Sequence, residues 1–199
     1  ATVTDINGET RQFVPAEYSI KNDLYSQNQI DFIDKYLNNL FKIVYEACEN
    51  GKYYKFDENY DLVDSDVTTA EEAVSNVMDI DSVRDMYILY EIVHDYDCGE
   101  GSFYMCVDLS KDSKCPKLKF TSPWDFNWAY NDSTEKYYAG AFTDKNFVAK
   151  NGDRSNPWFI ILCKQDWFMD AVKEKWTEMS REKLLQGCIK TEREYLKEY

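Results

Sequence analysis

The sequence predicts an α+β fold, predominantly helical, with a central β-hairpin. Apolar residues recur at helical spacing over several long windows, most clearly Ile30, Ile33, Leu37, Leu40, Phe41 and Val44. Capping signals stand at the start of those windows. Between them, Ser102 to Leu109 alternates enough for a strand, Lys111 to Pro116 supplies a turn, and Lys117 to Thr121 pairs back. Only 7 Gly and 4 Pro in 199 residues, with no internal repeat, suit a single domain or a truncated one. Residues 1–80 read as a helical and irregular N-terminal segment of that domain, and 81–199 as its core with two acidic loops.

Taken in order, residues 1–25 are polar and irregular, with a short extended piece at Arg11-Gln12-Phe13-Val14. Ser26 and Gln29 form a capping box that opens the first long helix, and Gly51 stops it. Lys52 to Leu62 is rich in Tyr and Asp and reads as a loop or short hairpin. Thr69 and Glu72 form a second capping box, opening a helix through Val77. Asp81 is expected to cap the next helix, whose apolar residues are Val83, Met86, Tyr87, Leu89, Tyr90 and Val93. The run Asp95 to Gly101 breaks that pattern. After the hairpin, residues 129–156 read as a long polar loop, a length that is usually functional or mobile. Pro157 starts Trp158-Phe159-Ile160-Ile161-Leu162. Asp166 is expected to cap a helix carrying Phe168, Ala171, Val172, Trp176 and Met179, and a last helix holds Leu184, Leu185 and Ile189.

Hydrophobic content of 44%, with 16 Tyr, 11 Phe and 5 Trp, is ample for a packed core. The formal charge of −14 argues against nucleic acid and anionic membranes, because both require a cationic face. It suits divalent cations or basic partners. No apolar run reaches the length of a membrane span. Ala1-Thr2-Val3-Thr4 lacks the basic and apolar start of a signal peptide, so an excised or processed piece is expected. The six cysteines contain no CxxC, and one histidine argues against structural zinc. Cys98, Cys106 and Cys115 gather around the hairpin. They read either as partners in a local disulfide of an exported protein or, with the others, as buried thiols. Asn131-Asp132-Ser133 is a glycosylation sequon.

The stretch richest in chemistry is Pro123-Trp124-Asp125-Phe126-Asn127-Trp128. It sets the Asp125 carboxylate among aromatics, beside the Asn127 amide oxygen. Such a pair suits Mg²⁺, which takes one or two protein oxygens and keeps the rest of its shell for water or phosphate. The bland alternative is a turn in which Asp125 caps a helix and the tryptophans fill the core. Asp97 follows a buried helix just as Asp125 follows the hairpin. If the hairpin folds back on the helix end, the two carboxylates face one pocket. One aspartate near a hydroxyl nucleophile and another on a metal is the minimal kit for phosphoryl transfer. His94 reads as a structural histidine, and Gly99-Glu100-Gly101 as a turn, since Glu100 would repel phosphate. No P-loop and no serine nucleophile elbow is present.

Several ordered blocks resemble the CotH (spore coat protein H) kinase-like family, from about Asp81 to Lys183. They are Met86-Tyr87-Ile88-Leu89-Tyr90-Glu91-Ile92, Asp95-Tyr96-Asp97, Ser102-Phe103-Tyr104-Met105, Pro123-Trp124-Asp125-Phe126-Asn127, Pro157-Trp158-Phe159, and Asp166-Trp167-Phe168 with Val172 and Trp176. The resemblance implies a divergent protein-kinase-like fold, here C-lobe-like, that uses ATP and Mg²⁺ to phosphorylate Ser or Thr of protein partners. It implies Asp97 as the catalytic aspartate, and Asp125, Asn127 and Asp95 at the metal. Asn127 stands where the family carries a second acidic residue, and Asp95 where it carries Asn. The nucleotide-clasping lobe of family members is expected to precede this chain, and no lysine here is assigned to the phosphates. The resemblance also implies an extracellular, cell-surface or spore-coat setting.

Two other readings accompany it. One is a non-catalytic kinase-like module for surface assembly. The other is a carbohydrate-binding module built on Trp124, Trp128, Tyr130, Tyr137 and Tyr138.

Overall fold

The computed structural model describes residues 2–4, 10–12, 18–93, 102–128 and 156–198. A short antiparallel pair opens the chain, β1 (Thr2–Thr4) with β2 (Thr10–Gln12), in the register Thr2 opposite Gln12. The extended piece expected near Arg11 thus belongs to a hairpin, while Phe13 and Val14 lie outside the described residues.

Helix α1 (Gln27–Asn50) follows, with Ser26 at its N-cap. The expected capping box forms only in part. Ser26 makes no side-chain cap bond, and the Gln29 carboxamide oxygen accepts instead from the Tyr25 amide at 2.7 Å. Gly51 ends the helix at φ 61°, the left-handed region where a β-carbon is disfavoured. The buried face is Tyr36, Leu40, Ile43, Val44 and Ala47, with Leu37 and Phe41 partly buried, whereas Ile30 faces out. The face is therefore rotated from the expected one toward Tyr36 and Ile43. The cause lies in the next hairpin, β3 (Tyr54–Phe56) and β4 (Leu62–Asp64), whose Phe56 and connecting Tyr60 pack on Tyr36 at 5.4 and 5.6 Å.

Helix α2 (Ala70–Val77) starts from the expected capping box. The Glu72 amide donates to Thr69 Oγ1, and the Thr68 amide donates to Glu72 Oε2, both at 3.2 Å. Helix α3 (Ile80–Val93) is capped by Asp79, whose Oδ1 accepts from the Ser82 amide at 3.2 Å. The expected cap, Asp81, lies inside the first turn and pairs with Arg84 at 2.7 Å. Two neighbouring aspartates satisfy the same signal, and the chain direction set by α2 selects the earlier one.

The central hairpin is β5 (Tyr104–Cys106) with β6 (Lys119–Thr121), joined across Met105 and Phe120. It is shorter than the alternation suggests. Backbone bonds pin it to the α2–α3 junction: the Leu118 amide donates to Val77 O and the Asp79 amide to Leu118 O, both at 2.9 Å. Ser82 Oγ then accepts from the Phe120 amide at 3.2 Å.

Helix α4 (Pro157–Leu162) begins at Pro157 as expected, capped by the buried Asn156, whose Oδ1 accepts from the Trp158 and Phe159 amides. Helix α5 (Asp166–Arg181) takes Gln165, not Asp166, as its N-cap; Gln165 makes no side-chain cap bond, because its carboxamide donates instead to Cys48 O at 3.2 Å. With the Lys164–Glu49 ion pair, that bond ties the end of α1 to the α4–α5 turn. Helix α6 (Leu184–Glu198) buries no residue. One core joins α1 through α5 and β6, with Trp158, Phe159 and Phe168 among its largest side chains. The architecture is thus α+β, mostly helical with small antiparallel sheets. Cys48, Cys106, Cys115, Cys163 and Cys188 are free thiols. Among the described residues no helix is long and apolar enough to cross a membrane.

Candidate functional site

Strand β6 runs along α3 in the same direction. Leu118 meets Val77 and Asp79 ahead of the helix, Phe120 meets Ser82 in its first turn, and Phe126 meets Tyr90 near its end. The hairpin therefore does fold back on α3, and its outgoing chain is delivered to the C-terminal turn of that helix. Tyr90 is the meeting point. Its hydroxyl donates to Ser102 O at 3.4 Å, where the chain enters β5, and its ring lies 6.0 Å from both Phe103 and Phe126. Phe103 in turn packs edge-on against Phe120 at 4.8 Å, and Phe120 against Phe159 at 5.6 Å. The turn that carries Asp125 is thereby fixed to the aromatic core on one side only.

The other side is open. Asp125 and Asn127 are exposed, and Trp124 is 62% exposed. Trp124 thus does not fill the core, which corrects the bland reading for that residue. The side chain of Trp128 lies outside the description. Asp125 has φ 60° and directly precedes a single 3-10 turn, Phe126–Trp128. Two further residues beside this hairpin also have positive φ: Ser102 at 45° and Ser122 at 53°. These conformations are unfavourable for residues with a β-carbon, though Asp tolerates them better than most, and such outliers concentrate where geometry serves function.

Asp125 makes no hydrogen bond or ion pair among the described residues. A solvent-facing carboxylate with an amide oxygen two residues on fits a hard cation that keeps most of its water shell. Among the described residues no group of three or more His, Cys, Asp or Glu is placed to hold a metal by itself. The remaining predicted site residues, Asp95 and Asp97, lie outside the described residues, as do His94 and Cys98. The structure does place the two anchors of that segment, Val93 at the end of α3 and Ser102, next to the Asp125 turn through Tyr90.

A groove of about 920 Å³ opens beside the hairpin. Phe32 and Tyr36 of α1 form one wall, and Phe103 and Met105 another. The irregular segment 18–24 forms the rim, and Thr121 and Ser122 bring the lining to within three residues of Asp125. Its volume falls within the range of small-molecule sites. Sequence reasoning missed it, because its walls come from segments about seventy residues apart and 18–24 carries no periodic signal.

A family model described as CotH kinase protein matches residues 49–198. No curated protein matches the chain. No solved structure matches it either. The match takes in α2 and α3, the central hairpin, the Asp125 turn and the three C-terminal helices, and on that extent the chain belongs to the CotH kinase protein family.

Proposed function

We propose that the chain acts as an atypical protein kinase of CotH type, transferring phosphate from ATP-Mg to Ser or Thr of a surface or exported protein. The observation that carries this reading is the convergence on Tyr90. A buried helix leads into the Asp95–Asp97 segment, a short hairpin follows, and the outgoing chain brings Asp125 back to the helix end. Protein kinases carry their catalytic-loop and metal-binding aspartates in that order, which supports a C-lobe-like arrangement here. The apolar groove alongside has the size and character for a nucleobase.

In this reading Asp97 accepts the proton of the attacking hydroxyl. Asp125 and Asn127, with Asp95, hold the metal ion. When bound, Mg²⁺ neutralises charge on the phosphates. The protein otherwise positions groups: Tyr90 and Phe126 hold the Asp125 turn, and Ser102 starts the strand that floors the groove.

Thermal melts with Mg-ATP test the proposal. A ligand at a hundred times its Kd adds about 2.7 kcal/mol, which raises Tm by several degrees. Asp125→Ala is expected to remove the Mg²⁺-dependent part of the shift. Absence of any nucleotide shift, together with no transfer to protein acceptors, would leave a non-catalytic surface or assembly module. Trp124, with its exposed ring, favours a second reading as a carbohydrate-binding surface, which a shift with oligosaccharide instead of nucleotide would select.

A further inference from the structure

Among the described residues lining the groove, Lys21 is the single cation. Its ammonium donates to the neutral Ser19 hydroxyl at 3.2 Å and meets no carboxylate among the described residues. Some other described lysines do meet carboxylates, as Lys35 meets Asp61, Lys55 meets Asp66 and Lys173 meets Asp170. Among the described residues Lys21 is thus a cation without a carboxylate partner at the rim of an apolar groove, in a protein of net charge −14.

We infer that the groove takes a ligand with a flat apolar body and an anionic end, and that Lys21 holds the anion. For the nucleotide reading above, on which this identification of the ligand rests, the anion is a phosphate and Lys21 is a phosphate-binding lysine outside any known kinase motif in the chain. The apolar body is received by Phe32, Tyr36 and Phe103. Within the described lining an anion is attracted only at this rim, because no other lining residue is cationic. Asp23, two residues on, is the one carboxylate in the described lining and acts against Lys21. It limits how much negative charge the site tolerates. The first turn of α1 also borders the groove and carries no acidic residue of its own, although Asp31 of the next turn bonds the Gln27 carboxamide and offsets part of the helix dipole.

Two probes of the same aromatic body test this without relying on nucleotide: anilinonaphthalene sulfonate, which is anionic, and N-phenyl-1-naphthylamine, which is neutral. Fluorescence titrations of the full chain are expected to show Lys21→Ala weakening the sulfonate about fivefold to tenfold, the scale of one charge-assisted bond near water. Lys21→Arg should restore it, Asp23→Asn should tighten it, and none of the three should move the neutral probe. Lys21 is exposed, so the variants are expected to keep the wild-type melt. Equal changes for both probes, or no change for the sulfonate, would overturn the inference. ATP measured against adenosine then separates the two proposals. If Lys21→Ala changes sulfonate binding while no nucleotide binds to wild type, the kinase reading fails and the assignment of Lys21 stands.

Discussion

Phe159 shows how a single residue is committed by its surroundings. It is fully buried and meets Tyr87, Phe103 and Phe120 edge-on at 5.5, 6.0 and 5.6 Å. Phe159→Ala leaves a cavity that three rings from separate elements cannot close, and is expected to cost about 3–5 kcal/mol, read from urea unfolding. Gly51 makes the opposite case. An added β-carbon would meet nothing within 4 Å, yet φ is 61°. Gly51→Ala should therefore cost only the conformational term, about 1 kcal/mol, and a larger loss would mean a contact that the geometry does not show. Single residues were also where reading the sequence went astray. Asp81 and Asp166 both carry the chemistry of a cap. The caps are Asp79 and Gln165, because neighbouring elements set where each helix begins. At the site, Asp125 and Asn127 were legible as a carboxylate and amide after a strand. Lys21 was not, since nothing in its own segment distinguishes it from any solvated lysine.

Elements were legible in proportion to how locally they are specified. The Thr69–Glu72 box, Gly51 and Pro157 are short-range signals, and each marks a real boundary. The phase of α1 was less legible, because the β3–β4 hairpin decides which face is covered. The central hairpin shows the same division. Its turn and both strands were visible, but its placement along α3 depends on bonds between distant residues. The Ser82 hydroxyl is one such bond, accepting from the Phe120 amide while donating to Asp79 O at 2.8 Å. Ser82→Ala leaves that amide without its partner in a part-buried place, and is expected to cost about 1–3 kcal/mol. Hydrogen exchange should localise the loss to residues 118–121. A loss spread evenly across α3 would show that Ser82 matters to the helix rather than to the hairpin. Helix α6 is the contrasting element. It buries nothing, so removing residues 184–198 should lower Tm by no more than a few degrees, and loss of cooperative unfolding would disprove its independence from the core.

At the scale of the whole molecule, the core is stabilised by burying groups that must stay protonated. Burial pushes the Cys48 thiol up to about 12 from an ordinary 9.0, with the Glu49 charge adding and Lys164 opposing. Burial likewise raises Cys163, Tyr36 and Tyr87. In each case the folded chain holds a proton that the unfolded chain releases more readily. Their contribution is complete below the unfolded values, 9.0 for the thiols and 10.0 for the phenols, and is lost as pH rises toward the folded ones. Stability should therefore fall from about pH 9 upward, beginning with the thiols and steepening once the phenols join. Growing negative charge on an already acidic chain acts in the same direction, so the decisive comparison is between variants. Melts of Cys48→Ala against wild type should show a shallower decline between about pH 9 and 10, where the thiol difference operates alone. Parallel declines would mean that Cys48 titrates as an ordinary thiol, and alkylation supplies the independent check. Cys106 and Cys188 are exposed and should react readily in the folded protein, whereas the half-buried Cys48 and Cys163, with raised thiol pKa, should react more slowly until it unfolds.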